Sequence, residues 1–210
     1  MNENLKNILE WIYCIAIALV LALLFRYFIG TPTIVKQRSM FPTLKEDQRL
    51  MLNRTIRITG RAPQVGEIIT FEAPDPTYYD SHEADQTNPI AIYNSEPENI
   101  FKKFVYYCLE LTKKSFIKRV IAVEGDHVKI EDNKVYVNGE LLEEEYLSSD
   151  VITTSRTFYD FIVPEGYIFA MGDNRTKSTD CRSFGCIPVD KVEGIVVFRF
   201  WPLDTWGSVK

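Results

Sequence analysis

From Ile8 to Ile29 the chain is apolar at every position except Glu10 and Arg26, and beyond residue 30 apolar residues come only in short runs between turn formers. The uninterrupted part of the first run, residues 11–25, is about 15 long. A spanning helix needs roughly 20, and counting through Ile29 supplies them. Arg26 can extend its stem toward headgroups, and Trp11 and Tyr27 suit the two membrane interfaces. No small-x-small site follows, and the residues before the run are barely basic. The pattern therefore predicts a retained single-pass anchor over 8–29 behind a short polar N-terminus, 1–7, rather than a cleaved leader. Charge counting sets Lys6 against Arg26, Lys36 and Arg38, which points the C-terminal part to the cytoplasm, although long domains translocate largely regardless of flanking charge.

After the anchor, the short runs predict strands at 33–37, 49–53, 67–71, 116–123, 127–131, 134–137, 157–162, 167–171 and 195–200. Val128, Ile130, Val135 and Val137 alternate with polar residues around Asp132-Asn133, a strand–turn–strand signal, and Asn138-Gly139 marks the next tight turn. The fold expected is mainly β: coiled antiparallel sheets over 30–210. One stretch differs. Residues 72–114 open polar and then place Ile100, Phe101, Phe104, Val105, Cys108 and Leu111 at helical spacing, with Lys102, Lys103 and Glu110 elsewhere. They predict an insertion with an amphipathic helix over about 99–112, packed on the β core or lying on the membrane surface.

Composition adds limits. With 46% apolar and 25% charged residues the chain is ordinary globular material. A net charge of -5 argues against nucleic acid as a partner. Only two histidines are present, His82 and His127, neither in a triad context, and they make a zinc site improbable as well. No Gly-rich phosphate loop occurs, so neither a metal nor a cofactor is expected.

Two features remain. Ser39 lies in Val35-Lys36-Gln37-Arg38-Ser39-Met40-Phe41-Pro42-Thr43-Leu44, just beyond the anchor, where a linker turn is one reading. Lys118 lies inside the apolar run Phe116-Ile117-Lys118-Arg119-Val120-Ile121. It either faces solvent on an edge strand or is desolvated, in which case burial can lower its pKa by about 3–5 units and supply a base for a serine. A third stretch, 171–185, packs turn formers, hydroxyls, acids and arginines into one loop, either solvated or acting as a platform for other groups.

In this order, behind an anchor, the blocks Ser39-Met40-Phe41-Pro42-Thr43-Leu44, Gly66-Glu67-Ile68-Ile69-Thr70-Phe71, Lys118-Arg119-Val120-Ile121 leading to Gly125-Asp126, and Gly172-Asp173-Asn174-Arg175 through Ser178, Asp180, Arg182 and Gly185 resemble the bacterial type I signal peptidases. The resemblance implies a membrane-bound serine endopeptidase that removes signal peptides from secretory preproteins, cutting after small residues at -1 and -3. It implies Ser39 as nucleophile, with its backbone N–H on the oxyanion, and Lys118 as general base oriented by Ser178. Asp180 and Arg182 match a structural ion pair near the site, beside Gly172 and Phe116. It further implies a catalytic domain outside the cytoplasm, against the charge count, and a chain functional as a monomer.

The chain departs from the family at Gln37, where Ser or Gly is usual and where the side-chain amide can still donate to the oxyanion. Ala122, Glu124 and Cys181 also replace usual residues. Cys181 and Cys186 are read either as a small disulfide loop or as separate thiols. Met40, Phe41, Trp201 and Trp206 are expected at the substrate groove, against the bilayer, or in ordinary core packing. Two other readings stay open: a Ser-Lys protease that cleaves itself or a single regulator, and a catalytically silent anchored β-domain that binds a partner.

Overall fold

The computed structural model describes residues 3–80, 85–148 and 150–209, so His82 lies outside the described residues, as do Met1 and Asn2 of the predicted N-terminus. Helix α1 (Glu3–Phe28) takes in the whole apolar run and starts earlier than the predicted anchor, with Glu3 in its first turn and Arg26 in its last. Both charges suit the helix dipole. No residue of 6–28 is buried by protein along the strongly apolar span. A helix apolar all round with no protein cover matches a membrane span in length and composition.

The chain then builds two antiparallel sheets. Strands β1 (Gly30–Ile34), β2 (Arg49–Asn53), β3 (Ile68–Glu72) and β4 (Ser115–Val123) are joined in the first sheet by β9 (Tyr167–Met171), β10 (Ile187–Pro188) and β11 (Val192–Trp201). Their spatial order is β1-β2-β11-β3-β4-β9-β10. The second sheet has the order β7-β6-β5-β8, from β5 (His127–Glu131), β6 (Lys134–Val137), β7 (Glu140–Leu141) and β8 (Asp160–Ile162). The β5–β6 turn places Asp132 and Asn133 at φ 49° and 61°, a left-handed pair that short polar side chains tolerate.

A large core fills the space between the sheets, with Ile69, Phe71, Val120 and Phe169 from one meeting Val128, Ile130, Val135 and Phe161 from the other. A smaller core of Val35, Met40, Leu44, Leu50, Leu52, Ile68 and Val196 lies beneath residues 35–44. It makes the Ser39 turn a rigid feature instead of a linker.

The first strand begins at Gly30, ahead of the predicted 33–37. Pro32 is accommodated because β1 is the sheet's outer strand, where a missing N–H costs no ladder bond. The insertion differs more. In place of one regular helix over 99–112 there is an α-helical turn, α2 being Ile56–Thr59 and this one α3 (Ile100–Phe104), followed by a π-helical turn Val105–Leu109. Glu110, in the left-handed region at φ 55°, closes it. Most of its predicted apolar face is unpacked: Ile100, Phe101, Phe104 and Leu111 are exposed, while Val105 and Cys108 are half-buried.

Candidate active site

Ser39 sits in a single 3-10 turn, Arg38–Met40, entered from an extended Gln37. Met40 is 1% exposed and drives the turn into the small core, which fixes the serine at the mouth of a groove. Lys118 lies mid-strand in β4, opposite Ile69 of β3. The strand is interior to the sheet and not an edge, so the lysine is 1% exposed. Its Nζ donates to Ser39 Oγ at 2.9 Å and to the Ile117 carbonyl at 3.1 Å, and lies 5.1 Å from the centre of the Phe116 ring.

Burial pushes the Lys118 amine down to about 8, and the negative charges of Asp180 and Asp173 offset only part of that. In its neutral form the amine has a lone pair within hydrogen-bond reach of the Ser39 hydroxyl, the geometry general-base catalysis requires. Ile117 then accepts one of its remaining hydrogens.

The loop 172–182 holds both residues. Asn174 donates from its backbone to the Ser39 carbonyl at 3.0 Å and from Nδ2 to the Arg38 carbonyl at 3.1 Å. Asp173 accepts from Thr43 Oγ1 at 2.6 Å and takes a two-pronged ion pair from Arg119, at 3.0 and 2.8 Å. One carboxylate thus ties the Ser39 turn to the residue after Lys118. Gly172 is required by close approach, since a Cβ there would overlap Ser178 Oγ and the Ser39 carbonyl. Asp180 is fully buried and pairs side-on with Arg182, both contacts at 2.8 Å, while accepting from Gly172 N at 3.1 Å. Burial opposes its charge, but Arg182 outweighs that and holds the carboxyl below its usual range. Arg182 in turn donates to the Arg175 carbonyl at 2.7 Å, and Arg175 pairs with Glu144.

Among the residues singled out from sequence, Ser39, Lys118, Phe116, Gly172, Ser178, Asp180 and Arg182 gather at this place. Ser178 does so without the expected bond to Lys118. The amine is occupied by Ser39 and Ile117, and Ser178 Oγ is buried with no partner among the described residues. Gln37 lines the groove, exposed, and makes no capping bond to the turn. Met40 is not a membrane contact, because the small core encloses it, though it contributes to the groove floor. Phe41, Trp201 and Trp206 are about half or more exposed, and Trp206 packs edge-on against Phe198. Cys181 and Cys186 are free, buried thiols, each with its pKa raised by burial. Sequence reasoning missed Asp173, Asn174, Arg119 and Thr43 as site residues. All four stand inside the quoted blocks, but a carboxylate and an arginine 54 positions apart carry no local sign that they pair.

The groove has a volume of about 430 Å³ and runs between residues 31–37 and the start of β4, Ser115 to Ile117. Arg26 of α1 stands at one end with Glu110, Lys113 and Lys114 of the insertion. Ser39, Met40 and Leu52 are part of its lining. β1 has a free edge here, so an extended peptide can be held by main-chain hydrogen bonds.

Comparison with known proteins places these features. A family model described as signal peptidase, peptidase S26, matches residues 8–201. The probable signal peptidase I-1 of Synechocystis sp. is 32% identical over 95% of this chain and 86% of its own. Signal peptidase IB of Staphylococcus aureus is 32% identical over 95% of this chain and 92% of its own. A crystal structure of a signal peptidase I from Enterococcus faecalis aligns with 65% of this chain and 98% of its own, at 24% identity and a TM-score of 0.41.

Proposed function

The chain belongs to the signal peptidase family and is a peptidase, and from that premise we propose that it removes signal peptides from secretory preproteins through a Ser39–Lys118 dyad. The observation that supports this reading is the 2.9 Å contact between Lys118 Nζ and Ser39 Oγ in a site that strips the amine of water. Neutral Lys118 takes the hydroxyl proton as Ser39 Oγ bonds to the scissile carbonyl carbon. The negative charge passes to the carbonyl oxygen, where the Ser39 backbone N–H and the Gln37 side-chain amide are the donors at hand. Collapse breaks the C–N bond, and protonated Lys118 gives its proton to the leaving amine. Water, deprotonated by the same amine, then releases the acyl group from Ser39.

Small residues at -1 and -3 suit a groove whose lining includes the close-packed Met40 and Leu52. A larger side chain would have to displace core packing. Asp180 with Arg182 acts through position, holding Gly172 and hence the approach of Ser178 to the nucleophile. The domain works as a single chain with its groove beside the bilayer and outside the cytoplasm. In the test, Ser39→Ala and Lys118→Ala are each assayed on a preprotein beside their circular dichroism. Both are expected to be inactive and folded. Substantial cleavage by either overturns the dyad.

A further inference from the structure

The insertion's helical segment is amphipathic the wrong way round for water. Its outer face carries Ile100, 86% exposed, Phe101, 70%, and Leu111, 74%, with Phe104 beside them. Its half-buried side, which also holds Val105, Cys108 and Leu109, is fastened by polar groups: Tyr106 donates to Glu72 at 2.7 Å, and Lys113, just past the helix, reaches Glu72 and Glu193 at 3.2 and 3.0 Å. A helix on a soluble domain turns its apolar stripe to the core and its polar face to solvent. The reversal calls for an apolar surrounding. The end of this segment is fastened to the end of α1, for Arg26 donates to the Leu109 carbonyl at 3.1 Å and pairs with Glu110 at 3.5 Å. Exposed Lys102 and Lys103 stand between Phe101 and Phe104, Lys103 paired with Glu96 at 3.7 Å, and exposed Lys114 follows the segment, cations of the kind that reach phosphate headgroups.

We propose that Ile100, Phe101, Phe104 and Leu111 form a second membrane-seated element, which enters the leaflet that α1 leaves and fixes the groove's height at the bilayer surface. This rests on α1 spanning a bilayer. The fastening sets the distance, because Arg26 and Ile29 flank the boundary where the apolar run ends.

The test uses the full chain in phosphatidylcholine–phosphatidylglycerol vesicles carrying a photoreactive group midway along the acyl chain, with adducts mapped by mass spectrometry. Adducts are expected on peptides from 8–28 and also on peptides from 99–112. In the triple variant Ile100→Ser, Phe101→Ser, Leu111→Ser the second set should fall at least about tenfold, since burying even one such side chain changes a partition by that order. The anchor adducts should not change. Adducts on 8–28 alone, or a triple variant labelled at 99–112 like the parent, overturn the inference. Adducts on neither stretch overturn the anchor reading and this inference with it.

Discussion

Burial lowers the Lys118 amine to about 8 from an ordinary 10.5, and that single shift links activity to stability. The folded chain releases this proton near pH 8, whereas the unfolded chain holds it until about 10.5. Between those values the unfolded state binds more protons, so this residue's contribution to stability rises with pH across the window and is a cost below it. Lys118→Met should therefore abolish cleavage yet unfold at pH 7 no lower in temperature than the parent; a clear fall in Tm would contradict the burial argument. Lys118→Arg should be inactive at every accessible pH, because a guanidinium cannot give up its proton. Asp173 matters through its ion pair. Asp173→Asn leaves Arg119, 3% exposed, without its counter-charge. It should cost about 3–5 kcal/mol in urea unfolding. Full stability in that variant would show that the Arg119–Asp173 pair does not brace the site.

At the scale of elements, alternation carried most of the fold. Residues 127–131, 134–137, 49–53 and 167–171 are strands with the bounds their apolar rhythm predicts. The two-residue strands β7 and β10 have no rhythm to read, and neither does the four-residue helix α4 (Cys181–Phe184). Helical period was legible in the insertion, but period does not say which face meets protein. That depended on Glu110, which receives Arg54 at two contacts of 2.8 Å as well as Arg26 and Arg57. These partners lie 53 to 84 positions away, beyond any local pattern. Ser39 and Lys118, the proposed nucleophile and base, were legible only as family blocks in order, since nothing in their spacing says that β4 faces the Ser39 turn. Two element-scale outcomes follow. Glu110→Gln should speed amide hydrogen exchange in 99–114 while leaving β5 and β6 unchanged; equal exchange would show that Glu110 does not secure the segment. Gly172→Ala should cut kcat by about two orders of magnitude or more, a misplacement effect, through displacement of the Ser39 turn.

Across the whole molecule, one apolar helix, one charged junction and two sheets set a groove next to the end of α1. Arg26 takes part in both the junction and the groove lining, so the end of α1 is also a wall of the groove. The flanking-charge count points the domain inward, and the proposed substrate requires it outside; protease added to intact cells should digest residues 30–210 and spare them in inverted vesicles. The reverse pattern would remove the domain from the path of exported chains. The central claim, a desolvated lysine activating a serine, is tested most directly by kcat/KM against pH for the reconstituted chain acting on a preprotein. The account predicts a rate rising about tenfold per pH unit below the Lys118 midpoint near 8 and levelling above it. A profile flat through that midpoint would contradict it.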